Sequence, residues 1–229
     1  MMAKQKICAI IVAGGKGRRM EGNTPKQFMK LDNDPIIVKT LQFFEASKMI
    51  NTIILILPKK WKKKAQYLLN KYRIKKVVAI VPAGRTRQSS VYNGLVFLKN
   101  LNPDIVVIHD AVRPFVTKTL IEAACINAAR FDAVSCSIPV RDALYEKGRK
   151  QFLNRKNIVR VQTPQAFTFS LLLNAHTRAR KRKRWDFPDD SSLLLSYRIE
   201  TVFINGDERN IKITDREYLK LARAIVQSF

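Results

Sequence analysis

The stretch Ala9–Gln27, AIIVAGGKGRRMEGNTPKQ, gathers the residue types that hold a chain of phosphates. Gly14, Gly15 and Gly17 follow an apolar run directly. Glycines there let a backbone turn tightly and approach an anion closely. Arg18, Arg19 and Lys26 add three cations to the same loop. A strand feeding a glycine-rich cationic loop would cradle a nucleoside triphosphate. Two common phosphate motifs do not fit. No Ser or Thr follows Lys16, as a P-loop requires, and Gly15-Lys-Gly17 continues as Arg-Arg-Met rather than as a dinucleotide fingerprint. On this stretch alone, a tight turn with solvated basic residues is the alternative.

The elements that must position this loop alternate along the chain. Strand-like runs fall at Ile7–Val12, Thr52–Leu57, Val77–Val81, Ile105–His109, Ala133–Ile138 and Thr201–Asn205. Helix-like stretches lie between them at Pro35–Ala46, Lys59–Tyr72, Ser89–Leu98 and Leu120–Arg130. Such alternation predicts an α/β, Rossmann-like fold with a mostly parallel central sheet flanked by helices. Ligands of open sheets sit outside the carboxyl ends of the strands. That rule brings Gly14–Gly17, the Gly84 region and Asp110 to one rim. A last helix starts at a capping box, Thr214 with Glu217, and carries an apolar stripe of Leu219, Leu221, Ala222, Ile225 and Val226. The segment Val140–Gln162 breaks the alternation. It is charged and predicts a protruding arm of two short strands around Glu146–Lys150. Without repeat or linker, residues 1–229 are expected to form a single domain.

Composition narrows the partners. The formal net charge is +25, which points to anions: nucleotide, sugar phosphate, nucleic acid or a membrane surface. Two runs concentrate it, KKWKKK at Lys59–Lys64 and RARKRKR at Arg178–Arg184. They lack the interleaved aromatics or module of nucleic-acid readers, so solvated helix faces are expected and specific nucleic-acid binding is not. No apolar run approaches the ~18 residues of a membrane span. The start MMAKQKI leads straight into a strand and leaves no room for a signal peptide. Cys8, Cys125 and Cys136 are odd in number and scattered within apolar patterns. Small buried hydrophobes in a reducing cytoplasm are expected, not disulfides or a zinc site. The two histidines, His109 and His176, show no acid–base partner in the sequence.

Four motifs in order carry a resemblance. AGGKGRRM with PKQ resembles the opening of the nucleotidyltransferases that join a sugar or polyol phosphate to a nucleoside triphosphate. HDAVRPF (His109–Phe115), RVQTPQAF (Arg160–Phe167) and NIKIT (Asn210–Thr214) narrow it. Together they resemble the 2-C-methyl-D-erythritol 4-phosphate cytidylyltransferase family, from about Ile7 to the C-terminus. The resemblance implies CMP transfer from CTP, with Mg²⁺ as cofactor, in the non-mevalonate route to isoprenoids. Such chemistry needs little base catalysis. A phosphate monoester already carries ~1.5–2 negative charges near neutral pH. The task is to bring two anions together, by positioning and by cations.

The resemblance also assigns roles. Arg19 and Lys26 would contact the phosphates and stabilise the transition state. Gly14, Gly15 and Gly17 would wrap the triphosphate. Gly84 and Ser90 would line the cytosine pocket, although Ser90 reads equally well as a helix cap. Asp110 would lie near the ribose and the metal-bound phosphates. Arg113, Arg155, Thr163 and Lys212 would contact the polyol phosphate, Arg155 from an arm crossing to the partner of a homodimer. An ion pair with Asp110 is the alternative for Arg113. No protein cluster is expected to hold the metal, which the CTP phosphates would carry. Ala143, Pro188 and Arg85 depart from the Thr, Thr and acidic residue common at those places in the family. The departures bear on the acceptor more than on CTP. A ribitol 5-phosphate cytidylyltransferase shares the motifs and is the nearest alternative. A sugar-1-phosphate nucleotidyltransferase is more distant. A non-catalytic, basic nucleic-acid-binding protein is the alternative from another class.

Overall fold

The run Ile7–Val12 (β1) is buried almost along its whole length, as a strand covered on both faces must be. In the computed structural model, which describes residues 5–15 and 24–227, β1 lies inside a seven-stranded sheet. A small hairpin of Lys30–Leu31 (β2) and Asp34–Pro35 (β3) leads into α1 (Ile36–Ala46). Then come β4 (Thr52–Leu57), α2 (Lys62–Lys71), β5 (Val77–Pro82), α3 (Arg87–Leu98), β6 (Ile105–Asp110), α4 (Lys118–Phe131) and β7 (Ala133–Pro139). A second hairpin, β8 (Leu144–Glu146) with β9 (Gln151–Leu153), stands apart from the sheet. The chain returns through β10 (Val159–Thr168), α5 (Phe169–Lys181), α6 (Asp190–Leu195), β11 (Val202–Asn205) and α7 (Arg216–Gln227).

The sheet order is β11-β7-β10-β6-β1-β4-β5. Every pairing is parallel except those of β10, which runs against both β6 and β7. Side chains alternate across the sheet. Ala9 and Ile11 pack with Leu41 and Phe44 of α1 and Ile121 of α4. Cys8 and Ile10 pack on the other face with Val91 and Leu95 of α3 and Leu172 of α5. A third cluster seats Leu219 and Ala222 of α7 against Leu31, Ile36, Val112 and Ile213. There Ile213 N–H donates to the Val112 carbonyl at 2.9 Å. This contact carries Lys212 back to the end of β6.

The α/β fold and its mostly parallel sheet match the expectation, as does the arm hairpin within 140–162. Three local features differ. Strand β10 is absent from the expected strands, since its first residues fall within the charged segment read as an arm. Helix α7 is capped by Asp215, whose Oδ1 accepts from Tyr218 N–H at 3.0 Å; the capping side chain falls one residue after Thr214. On that helix Leu221 is exposed rather than part of the buried stripe. All three cysteines are buried and unpaired. Burial pushes the Cys125 and Cys136 thiols up to about 12, so neither is a ready nucleophile.

Candidate active site

Progress across the sheet reverses at β1. The chain moves from β1 outward to β4 and β5, then returns to β6 on the other side of β1. Crevices for ligands in open sheets form at such a switch point. A cavity of about 1100 Å³ opens there. Its walls are the residues just past four strand ends: Gly14 and Gly15 after β1, Pro58 after β4, Ala83 and Gly84 after β5, and Asp110 closing β6. Lys26, Arg87, Ser90 and Lys212 complete the polar lining.

Close packing explains two of the glycines. A Cβ on Gly14 would come within 2.9 Å of the Ala83 Cβ, and one on Gly84 within 2.3 Å of the Ser89 Oγ and 2.8 Å of the Ser89 carbonyl carbon. Helix α3 begins at a true capping box, with Thr86 accepting from Ser89 N–H at 3.0 Å. Ser90 is therefore not the cap. Its Oγ accepts from Gly84 N–H at 3.0 Å and donates to the Thr86 carbonyl at 2.8 Å. A hydroxyl so engaged keeps one lone pair for a ligand N–H. Gln27, also buried, donates from Nε2 to the Ala13 carbonyl at 2.9 Å and so ties the Lys26 turn to the end of β1. Gly17 and Arg19 lie outside the described residues.

Asp110 is the electrostatic centre of the rim. It is only 6% exposed. Lys212 Nζ lies 2.9 Å from its Oδ2, Arg113 Nε 3.5 Å from the same oxygen, and Arg87 Nε 3.7 Å from Oδ1. Burial by itself would keep the carboxyl protonated. Lys212, Arg87 and Arg113 outweigh it and hold the group well below the usual carboxylate range. Asp110 N–H donates to Thr163 Oγ1 at 3.2 Å, so Thr163 sits beneath the carboxylate and lines neither cavity of the rim. Asn210 Nδ2 donates to the Thr163 carbonyl at 2.8 Å, and Arg113 Nη1 donates to the Asn210 carbonyl at 2.7 Å. The HDAVRPF, TPQ and NIKIT motifs are thus knitted into one buried frame.

A second cavity of about 140 Å³ adjoins the first and shares Lys212 and Thr214 with it. Arg113, Arg160, Gln162 and Tyr218 also line it. Arg155 lies in a short turn at the base of the arm, donates to the Arg141 carbonyl, and lines neither cavity. The arm presents Tyr145 and Phe152, packed edge to face, on its exposed surface.

Sequence reasoning missed three residues. Arg87 Nη1 donates to Asp190 Oδ2 at 2.7 Å, and His176 Nε2 donates to Asp190 Oδ1 at 2.9 Å. His176 therefore does have a carboxylate partner, contrary to expectation. Burial opposes ionisation of Asp190, but Arg87 and His176 bring its pKa down to about 2. The signal lay in AGRTRQSSV and in Pro188-Asp189-Asp190, yet the partners are 103 residues apart. The other histidine, His109, is buried beneath the rim and burial lowers its pKa to about 3. It is neutral at pH 7 and no general acid.

Comparison with known proteins agrees with this geometry. The family description "IspD: 2-C-methyl-D-erythritol 4-phosphate cytidylyltransferase" matches residues 7–228. The chain is 37% identical over 230 residues to the 2-C-methyl-D-erythritol 4-phosphate cytidylyltransferase of Clostridium botulinum (strain Langeland), covering 99% of each chain. It is 37% identical over 223 residues to the protein of that name from Geobacillus thermodenitrificans, covering 96% of each. Among solved structures it resembles the 4-diphosphocytidyl-2C-methyl-D-erythritol synthase of Anaerococcus prevotii, with TM-score 0.86, 26% identity and coverage of 98% and 97%. The Francisella tularensis cytidylyltransferase superposes with TM-score 0.80 at 26% identity, covering 96% and 99%.

Proposed function

The chain belongs to the 2-C-methyl-D-erythritol 4-phosphate cytidylyltransferase family, and we propose on that footing how its cavity divides the reaction among its residues. The enzyme transfers CMP from CTP to 2-C-methyl-D-erythritol 4-phosphate in isoprenoid biosynthesis. It forms 4-diphosphocytidyl-2-C-methyl-D-erythritol and releases pyrophosphate. One observation carries the assignment of roles: Gly14, Gly15, Lys26, Gly84, Ser90, Asp110 and Lys212 line a single cavity at the switch point.

CTP enters with its base toward Gly84 and Ser90, where the Ser90 lone pair accepts an N–H of the pyrimidine. Its triphosphate lies along Gly14 and Gly15, with Lys26 as a cation for the charge that gathers at the α-phosphorus. Arg19 and Gly17, in the same loop, share that work. The acceptor phosphate approaches from the smaller cavity, between Arg113 and Lys212. The attacking oxygen needs no base. The cations offset the repulsion between two anions and align them for in-line displacement. Arg155 acts from the partner of a homodimer, which the aromatic pair exposed on the arm supports.

Mg²⁺ would be held mainly by the CTP phosphates. The described residues contain no cluster of three metal-binding side chains, and Asp110, the ionised carboxylate at the rim, is already faced by Lys212, Arg113 and Arg87. Mg²⁺ is commonly held by one or two carboxylates together with substrate phosphates. When bound, it neutralises charge on the triphosphate oxygens. The free cysteines accord with a cytoplasmic enzyme, and no described helix is long and apolar enough to cross a membrane.

Pyrophosphate release by the purified protein with CTP and Mg²⁺ tests the reading. Release is expected with 2-C-methyl-D-erythritol 4-phosphate and not with ribitol 5-phosphate. Release with ribitol 5-phosphate alone would overturn the acceptor, and Ala143 would be the first position to revert. A molar mass of twice 26.3 kDa is expected in solution; a fully active monomer would remove the shared arm.

A further inference from the structure

His176 is fully buried on α5, and no step of the transfer calls for it. Its Nε2 donates to Asp190, while its Nδ1 has no partner among the described residues. Asp190, 1% exposed, is itself clamped. Its N–H donates to Gln165 Oε1 at 3.4 Å, and Gln165 Nε2 donates to Asp189 Oδ2 at 3.1 Å and Ser191 Oγ at 3.0 Å. The first turn of α6 is thereby fixed to β10, the strand that also supports Asp110 through Thr163.

Each oxygen of Asp190 has one duty, Oδ1 for His176 and Oδ2 for Arg87. Arg87 in turn stands 3.7 Å from Asp110 Oδ1, an ion-pair distance beyond hydrogen bonding. Freed from Asp190, its guanidinium could close on Asp110 as a two-pronged pair, and such a fork outcompetes a single ammonium contact. Lys212 would then lose Asp110 Oδ2 and with it a fixed place between the two cavities. We propose that His176 and Asp190 are positioning residues for the nucleotide cavity: they hold Arg87 off Asp110 and leave that carboxylate to Lys212. The proposal rests on the cavity being the CTP site.

The test measures kcat, both KM values and the melting temperature of His176→Leu, His176→Gln, Asp190→Asn and the Leu/Asn double variant, with wild type as control. Loss of kcat/KM for CTP by about 10-fold is expected in His176→Leu and in Asp190→Asn, since misplacement far from the reacting atoms is costly. His176→Gln, which restores an amide donor, is expected to recover most of it. The double variant should be no worse than Asp190→Asn alone, because both act on one chain of contacts. A lower melting temperature with wild-type kcat and KM in His176→Leu would overturn the proposal. So would losses that multiply in the double variant. Should His176→Leu not fold, Arg87→Lys decides: wild-type kcat/KM overturns, and a loss of 10-fold or more supports. Inactive wild type would instead fail the assignment of the cavity itself.

Discussion

Replacing Asp110 with Asn removes the carboxylate that faces Lys212, Arg113 and Arg87 together. At 3.5 and 3.7 Å, the two arginines each attract it by about 4–5 kcal/mol at an effective dielectric constant of ~20. That is a gross attraction. Desolvating the buried carboxylate takes back several kcal/mol. Lys212 is 39% exposed on its side chain and adds only about 0–1 kcal/mol, as exposed pairs do. The net expectation is a destabilisation of about 3 kcal/mol, and a fall in Tm of about 6–12 °C for a chain of this size. A second effect has the opposite sign. Lys212 and Arg113 left without their anion, beside an Arg87 that keeps only Asp190, should bind a polyanion more tightly, so added pyrophosphate should stabilise Asp110→Asn more than it stabilises wild type. A difference of at least about 1.4 kcal/mol, tenfold in affinity, is expected. Turnover should fall about 100-fold, because tighter anion binding without Asp110 lacks the alignment that transfer needs. Thermal melts at matched pyrophosphate concentrations, followed by steady-state kinetics, give all three quantities. A variant that melts with wild type, or gains no more from pyrophosphate, would refute the view of Asp110 as the counter-charge of this rim.

Lys26→Ala should lower kcat by about 100- to 1000-fold, with the circular dichroism spectrum unchanged; wild-type turnover would sink its role at the α-phosphate. Gly84→Ala should raise KM for CTP and cost about 1–3 kcal/mol in a urea titration, because the added methyl meets the backbone of Ser89. Asp190 has its pKa lowered to about 2 in the folded chain, so its stabilisation is present above the unfolded value near ~3.9 and is lost as pH falls through 2. Wild type should lose about 2 kcal/mol more than Asp190→Asn between pH 5 and pH 2 in urea melts. Equal losses would count against the Arg87–Asp190–His176 contacts.

The parts of this site that lie at strand ends could be read from sequence, because an apolar run followed by Gly, Asp or Gly-Arg marks both the strand and the rim. Gly14, Gly84 and Asp110 were found that way. Strand β10 escaped because Val159–Gln162 closes the charged segment 140–162, and because Pro164 interrupts the run that follows. The register of β10 on β7 shifts between Val161 and Gln165, and that irregularity places Thr163 under Asp110. Ser90 is ambiguous in sequence between cap and ligand contact, since a Ser near the start of a helix satisfies both patterns. In the fold, Thr86 caps the helix and Ser90 holds the Gly84 loop. Arg87 and Asp190 stand in legible motifs, yet nothing local pairs them with each other or with His176. Their partnership depends on α3, α5 and α6 sharing one face of the sheet, and pairing across such distances is a property of topology.

Every lysine and arginine of the two basic runs is exposed, as solvated helix faces require. Several also lie over aromatic rings. Trp61 in the first run packs on Phe28 with ring centroids 5.5 Å apart, and Lys64 Nζ lies 5.0 Å over the Phe28 ring. Phe28 is two residues from Lys26 in the same short turn, so this run supports the wall of the cavity from outside. In the second run Arg178 lies 4.3 Å over Tyr197, Arg180 5.0 Å over Tyr92 and Arg184 4.6 Å over Phe187. Arginines over rings shield apolar surface and lose little freedom on folding. Several of them also stand at the carboxyl end of α5, where positive charge is favoured by the helix dipole. Trp61 belongs to the first run itself, whereas Tyr197, Tyr92 and Phe187 come from outside the second. The cations that line the two cavities, among them Lys26, Arg87, Arg113 and Lys212, come from other segments of the chain.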